Sequence, residues 1–400
     1  MSKNRRRWNT VKKFLIYNVL RLLSIFVPKN RNIWLFGEFY GQKFTGNPKY
    51  FYLFLLQNPQ EDIRPIWISA KKTIVEEIRR LKGEAYRINS IKAIYFGLIA
   101  KVYIFSHGVE DIGNYAVRNA LLVNLWHGMP VKDIRAFNQL KAENISPWRR
   151  KKIEFIQKMI KHECHGKYDL IIATSELTAE KFKTAFQYRP KKIAITGEPK
   201  NDLFFSGSKN EILNRYQLKA WQDKFIITYM PTFRDKEPPS PSQIAFWDEH
   251  ELQDENLIVL LHWHPSDPLK NMFSLQESPF VKIANELPLD VQELLLISDL
   301  LITDYSSCFI DFLLLDRPII FYAYDLNYYR KYRGFLYDYR QIAPGEITMT
   351  RRETAKAIRA YMKNPVKDAE KRRHVKEMFH TNQTGGFSQN VLKAVHELLR

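Results

Sequence analysis

A chain of 400 residues, 45% of them apolar, can bury a large core, and its length suits two or three domains. Lys and Arg number 62 against 43 Asp and Glu, a formal charge of +19 that favours an anionic partner: nucleic acid, anionic lipid or a phosphorylated substrate. Cys164 and Cys308 lie far apart, which excludes a disulfide framework and a zinc site built on paired cysteines.

The first element is FLIYNVLRLLSIFV, Phe14 to Val27. Asn18 and Arg21 interrupt it, and it falls short of the roughly 20 apolar residues that cross a bilayer. KNRRRW precedes it, yet PKNRN follows with no small-residue cleavage pattern, so a signal peptide is not expected. At 100° per residue, Lys13, Tyr17, Arg21 and Ser24 fall in one polar wedge, and five basic residues precede or open the helix. Residues 1–30 therefore read as a basic amphipathic helix with two possible seats: an anionic membrane surface or its own domain.

From Asn32 the chain alternates short apolar runs with helical patterns. NIWLFGE (32–38), IRPIWIS (63–69), AKVYIFSH (100–107), ALLVNLWHG (120–128), YDLIIATS (168–175) and KKIAITG (191–197) read as strands. Helices are expected at 45–58, 73–83 and 175–186. The pattern restarts with KFIITYMPTFRD (224–235) and NLIVLLHWHPSD (256–267). Residues 295–322 read as strand, helix, strand, with helices near 351–363, 367–379 and 387–399. This is an α/β chain of two doubly wound parallel-sheet units, 31–205 and 206–385, closed by a helix at 386–400. Ligands of such sheets belong at the carboxyl ends of the strands.

Five strand ends carry chemistry. In TDYSS (303–307), Thr303, Ser306 and Ser307 offer hydroxyls where a helix is expected over 306–316, a setting that suits a phosphate group. The plain alternative makes Ser306 an N-cap. Asp304 precedes the serines, and Asp311 sits one turn into an apolar helix, where a carboxylate has to be paired, orient Ser307 or meet a ligand hydroxyl. Arg234, in MPTFRD, carries a planar fork matched to phosphate oxygens. His127, in LWHGMPVKD, is a candidate general base, and His264, in HWHPSD, a candidate hydrogen-bond donor to a phosphate oxygen. His262 and His264 share a sheet face but lack further ligands nearby, and HECHG (162–166) lies in a charged helical stretch, so no metal is expected. The chain has no Gly-Lys-Ser/Thr phosphate loop, dinucleotide fingerprint or Gly-x-Ser-x-Gly elbow.

Taken in order and spacing, GEFYGQKFTGNPKY (37–50), NLWHGMPVKDI (124–134), TGEPKNDLF (196–204), MPTFRD (230–235), HWHPSD (262–267), the run 293–329 and RGFLYDY (333–339) resemble the CDP-glycerol glycerophosphotransferases of teichoic acid and capsule biosynthesis. The resemblance implies a GT-B fold, two Rossmann-like domains facing a cleft, with the acceptor on the first and the CDP-alcohol on the second. It implies transfer of glycerol phosphate, or a similar polyol phosphate, from a CDP-alcohol to a lipid-linked hydroxyl, releasing CMP. By motif position His127 matches the proposed base. His264, Arg234, Ser306 and Ser307 match donor contacts, and Thr303, Asp304 and Asp311 lie in the same segment. No cofactor and no nucleic-acid partner are expected, and the enzyme is expected at the cytoplasmic face of the membrane as a peripheral protein.

The chain departs from the family pattern at NQTGGFSQNVL (382–392), where Gln389 and Asn390 stand at charged positions, and at Trp263. His-Gly occurs twice, at 107–108 and 127–128, and only the second carries the flanking pattern. Two other readings share some of these features: a GT-B glycosyltransferase using a sugar nucleotide, and a non-enzymatic basic module. The module leaves the serine–acid knot without a task.

Overall fold

A computed structural model describes residues 26–113, 119–132, 168–185, 191–234, 240–249, 252, 256–263 and 280–400. Most of the expected N-terminal helix, HECHG at 162–166 and His264 lie outside the described residues. Among those described, no helix is long and apolar enough to cross a membrane.

The described chain divides into two compact units. The first takes the described residues up to His127, those from 168 to Asp202, and Gly386–Arg400. The second takes the described residues from Gly128 to Lys132 and from Leu203 to Gly385. The short segment after His127 thus packs with the second unit, and the last helix with the first.

In chain order the first unit holds β1 (Asn30–Phe36), β2 (Arg64–Ser69), β3 (Glu84–Arg87), β4 (Ala100–Phe105), β5 (Leu121–Asn124), β6 (Leu170–Ala173) and β7 (Lys192–Ile195). They form one parallel sheet in the order β3-β2-β1-β4-β5-β6-β7. The central strands are apolar on both faces because helices cover both. Trp34 and Phe36 enter one core with Trp67, Val102 and Ile104. Ile33 and Leu35, the alternate positions, enter the opposite core with Ile66, Ile68, Tyr103 and Phe105. The C-terminal helix Phe387–Leu399 adds Val391, Leu392 and Val395 to the first of these. Asp202 fixes its start, each carboxylate oxygen accepting one amide N–H, from Phe387 and Ser388, at 2.8 Å.

The second unit holds β8 (Phe225–Met230), β9 (Leu257–Leu261), β10 (Val281–Ile283), β11 (Leu300–Thr303), β12 (Ile319–Tyr322) and β13 (Glu346–Thr348). These are parallel too, in the order β10-β9-β8-β11-β12-β13. Ile227, Tyr229, Val259, Leu261, Ile302, Ile320 and Tyr322 share a core with the helix Arg351–Lys363. Thr350 and Glu353 cap that helix reciprocally.

Each sheet reverses its strand order once, between β1 and β4 in the first unit and between β8 and β11 in the second. Diverging connections leave a crevice at such a point, beyond the carboxyl ends of the two strands.

Candidate functional site

Each switch point carries a buried polar cluster. In the first unit, β1 ends at Phe36 and the chain passes through Gly37 to Glu38. A Cβ on Gly37 would stand 2.3 Å from the Asp111 carbonyl oxygen, so only glycine allows this close approach. β4 runs into Ser106 and His107. The fully buried Asp111 folds back on both strand ends: Oδ2 accepts the N–H groups of Ser106 (3.1 Å) and His107 (2.9 Å), and Oδ1 that of Tyr40 (2.8 Å).

The His107 ring lies between two carboxylates. Nδ1 is 3.6 Å from Glu38 Oε1, 3.7 Å from Asp111 Oδ2 and 2.7 Å from Ser106 Oγ. Burial opposes its charge, but the bond to Asp111 and the charges of Glu38 and Asp111 outweigh it, so its pKa is raised. Burial pushes Glu38 up to about 7, against the pull of His107. One ligand atom from each of Glu38, His107 and Asp111 falls within 4.8 Å of the others, and Glu38 Oε2 has no hydrogen-bond partner. A cation would fit by distance, but it would compete with a proton on His107, whose basicity the carboxylates raise, and with Lys43 beside Glu38.

His127 follows β5. Its ring stacks on His107 with centroids 4.3 Å apart and planes 3° from parallel. Nδ1 lies 3.5 Å from the Ser106 carbonyl oxygen, a long contact that suits a proton on Nδ1 and a basic Nε2. The residue keeps an exposed face, yet the protein around the ring disfavours the imidazolium, and the charges of His107 and then Lys200 add to this, lowering its pKa. The turn into His127 is tight: Trp126 has φ 52°, and its N–H donates to Asn124 Oδ1 at 2.7 Å. Asn47, fully buried at the start of the helix Gly46–Gln57, donates through Nδ2 to the carbonyls of Leu125 (2.8 Å) and Trp126 (3.1 Å) and to Glu198 Oε1 (2.9 Å). Its Oδ1 accepts the Lys200 N–H at 3.2 Å, and Lys200 Nζ lies 3.3 Å from Glu198 Oε1. Three motif pieces distant in sequence (37–50, 124–134 and 196–204) thus meet around His127.

In the second unit, Arg234 follows β8 and is nearly buried. Nη1 lies 2.7 Å from Asp304 Oδ2 and also donates to the Thr232 carbonyl, while Nε and Nη2 donate to the two oxygens of Asp325 at 2.9 Å each. The rings of Tyr305, Tyr324 and Tyr329 lie 5.1–5.5 Å from the guanidinium carbon. The fork expected to meet a phosphate is already engaged inside the protein. Asp304, fully buried, accepts the N–H groups of Thr232 (2.8 Å) and Tyr305 on Oδ1. Thr303 donates to the Met230 carbonyl at 2.7 Å. Both therefore bind the ends of β8 and β11 together.

The helix expected over 306–316 is shorter: Cys308–Phe312, followed by a 3-10 turn Leu313–Leu315. Ser307, not Ser306, is its N-cap, and no side-chain cap bond forms. Peptide dipoles sum along a helix, so a helix of 5 residues offers an anion little. Ser306 and Ser307 are half-buried, and Asp311 is buried. Gly128 has φ 135°, and a Cβ there would stand 2.7 Å from Ser307 Oγ.

Lys132 carries no local sequence signature of its own. Its backbone bridges to Phe335, and the Leu336 N–H donates to the Val131 carbonyl at 3.0 Å, which joins the motif pieces 124–134 and 333–339. Desolvation lowers its pKa to about 8, partly offset by Asp304 and reinforced by Arg234 and Arg333. Its spacing from His127 in WHGMPVKD was the available signal.

The family model described as CDP-Glycerol:Poly(glycerophosphate) glycerophosphotransferase matches residues 19–397. The chain is 29% identical over 357 residues to the teichoic acid poly(glycerol phosphate) polymerase of Bacillus spizizenii, covering 86% of this chain and 87% of that protein. It is 29% identical over 401 residues to the teichoic acid glycerol-phosphate transferase of Staphylococcus aureus, covering 97% of this chain and 99% of that protein. Among solved structures, the wall teichoic acid polymerase TagF aligns with TM-score 0.72 at 25% identity, covering 99% of this chain and 98% of that one. A variant of it soaked with CDPG aligns with TM-score 0.74 at 25% identity, covering 98% and 96%.

Proposed function

The chain belongs to the CDP-glycerol:poly(glycerophosphate) glycerophosphotransferase family, and from that premise we propose how its own residues carry the transfer of glycerol phosphate from CDP-glycerol in teichoic acid synthesis. The acceptor is a hydroxyl on a lipid-linked chain, and the leaving group is CMP. The two parallel-sheet units fit the GT-B class, with the acceptor on the first unit and the donor on the second.

His127 is the general base. Its Nε2 takes the proton of the acceptor hydroxyl as that oxygen attacks the phosphorus bearing glycerol. The bond from that phosphorus to the bridging oxygen breaks, and CMP departs with the electron pair. Lys132, Ser306 and Ser307 hold the donor's phosphates. His264 is assigned to the same task by its motif alone. Arg234, Thr303 and Asp304 act one step back, fixing the strand ends that carry these groups, and Asp311 is assigned to the donor segment by position. Such a site works by orientation and charge stabilisation. The excess of 19 positive charges suits attachment to the inner membrane face, where a lipid-linked acceptor lies.

The observation that carries this reading is the coincidence of the family's motif pieces with both switch-point clusters. The test is incubation with a panel of CDP-alcohols and lipid acceptors, following CMP and product mass. CMP released with a mass gain of one glycerol phosphate is expected. Turnover of a sugar nucleotide in its place would overturn the reading. His127→Ala should lose most of kcat, since positioned general bases contribute about 100- to 10,000-fold. Near-normal turnover would remove the base assignment.

A further inference from the structure

The other His-Gly pair, at 107–108, has no task in the reading above, yet it lies at the switch point of the first sheet and its imidazole covers one face of His127. We propose that His107, clamped between Glu38 and Asp111, is a positioning residue that fixes the ring plane of His127 and keeps that ring in its neutral, proton-accepting form. The proposal rests on the reading of His127 as the base.

The geometry gives His107 little freedom. Its backbone N–H and ring Nδ1 both address Asp111, Glu38 Oε1 lies 3.6 Å from the ring, and Phe39 packs edge-on at 5.3 Å between centroids. Glu38 and Asp111 are buried and held by separate strand ends, so the charge they face is fixed in place. With planes 3° from parallel, the His127 ring cannot tilt on that side without displacing its neighbour. The charged groups around the pair are Glu38 after β1, Lys43 near Glu38, Lys71 near Lys43, Glu110 beside Gly108, Asp111, and Lys200 after β7. A proton added to His127 would place a second positive charge against His107, with Lys200 also opposing it. Against the cost of burial, the bond to Asp111 and the charges of Glu38 and Asp111 favour the first proton on His107 over one on His127.

The test uses the full-length enzyme, with imidazole resonances read by 15N-edited NMR and with pH–rate profiles. His107→Phe keeps an aromatic face and removes the charge. His107→Gln removes the charge, keeps a polar side chain facing Glu38 and Asp111, and covers the case in which His107→Phe fails to fold. In both variants the His127 titration midpoint should move to higher pH, by roughly one unit for His107→Phe, as expected for loss of one charge about 4 Å away near solvent. The acid limb of kcat/KM should move with it, and kcat should fall more than donor KM changes. An unchanged His127 midpoint in both variants would overturn the proposal. So would saturable broadening of the His107 resonances by Mn2+ with loss of activity in chelator, which would make the cluster a cation site. Failure of the base reading is separate: it shows as turnover by His127→Ala, whatever the NMR midpoints do.

Discussion

Arg234 Nη1 stands 2.7 Å from Asp304 Oδ2 where both side chains are nearly or fully buried. The pair ties β8 to β11 at the reversal of the second sheet, and Asp325 closes the fork from beyond β12. Such an arginine holds the fold of the site. Arg234→Met should lower unfolding free energy by about 3–5 kcal/mol, because two carboxylates lose their counter-charge. Arg234→Lys should also destabilise, since an ammonium cannot reproduce the bidentate bond. Denaturant unfolding checks both. An arginine that only met substrate would change stability by less than about 0.5 kcal/mol and act on KM alone.

Gly128→Ala should cost about 1–3 kcal/mol and lower activity, because φ 135° is strained for any L side chain. Two causes compete here: the backbone, and the 2.7 Å approach to Ser307 Oγ. A serine hydroxyl can rotate away, whereas the backbone angle cannot relax alone. The double variant Gly128→Ala/Ser307→Ala should therefore recover little of the thermal stability lost by Gly128→Ala. Full recovery would make the side-chain contact the cause.

The central strands were legible because their composition is extreme: apolar runs such as IWLF (Ile33–Phe36) and Leu300–Ile302 are buried on both faces. The strands missed were β3, β10 and β13, all at sheet edges, of 3–4 residues and carrying Glu84, Arg87, Lys282 or Glu346. One exposed flank removes the apolar run that periodicity needs. The site was legible as strand ends but not as partners. Arg234 read as a fork aimed outward because Asp325 lies 91 residues away. Asn47 lies 151 residues from Glu198, and no local pattern marks the pairing. The short helix after Ser307 was overread because LLLD continues its apolar pattern through a 3-10 turn.

The proposed donor role of Lys132 carries a pH dependence. Its folded pKa, about 8, lies below that of an unfolded lysine, so between about 8 and 10.5 the folded state binds fewer protons than the unfolded state. This residue's contribution to stability therefore rises with pH across that window and is constant below it. Binding runs the other way: the charge that meets an anionic donor is lost as pH climbs through 8. Donor KM should rise above pH 8 in the native enzyme, and the rise should vanish in Lys132→Arg. Lys132→Met should weaken donor binding about tenfold near pH 7, the loss of roughly one charge-assisted hydrogen bond. Isothermal titration with CDP-glycerol at pH 7 and pH 9 reads both.

Asn47 tests whether the support beneath His127 matters to the reaction. Its amide meets two carbonyls on the approach to His127, Glu198, and the Lys200 N–H, all in the buried interior of the first unit. Asn47→Ala leaves those acceptors without their donor, which should cost about 1–3 kcal/mol of stability. Asn47→Asp is nearly isosteric, but it replaces the donating NH2 with an acceptor facing Glu198 and should destabilise more. If the network also sets the height of His127, kcat should fall at temperatures well below the melting transition while donor KM stays near its native value. A kcat that falls only as the protein unfolds would make Asn47 a fold residue alone, and circular dichroism beside single-turnover rates at 15 and 25 °C, roughly within the range of maximal stability for such domains, separates the two.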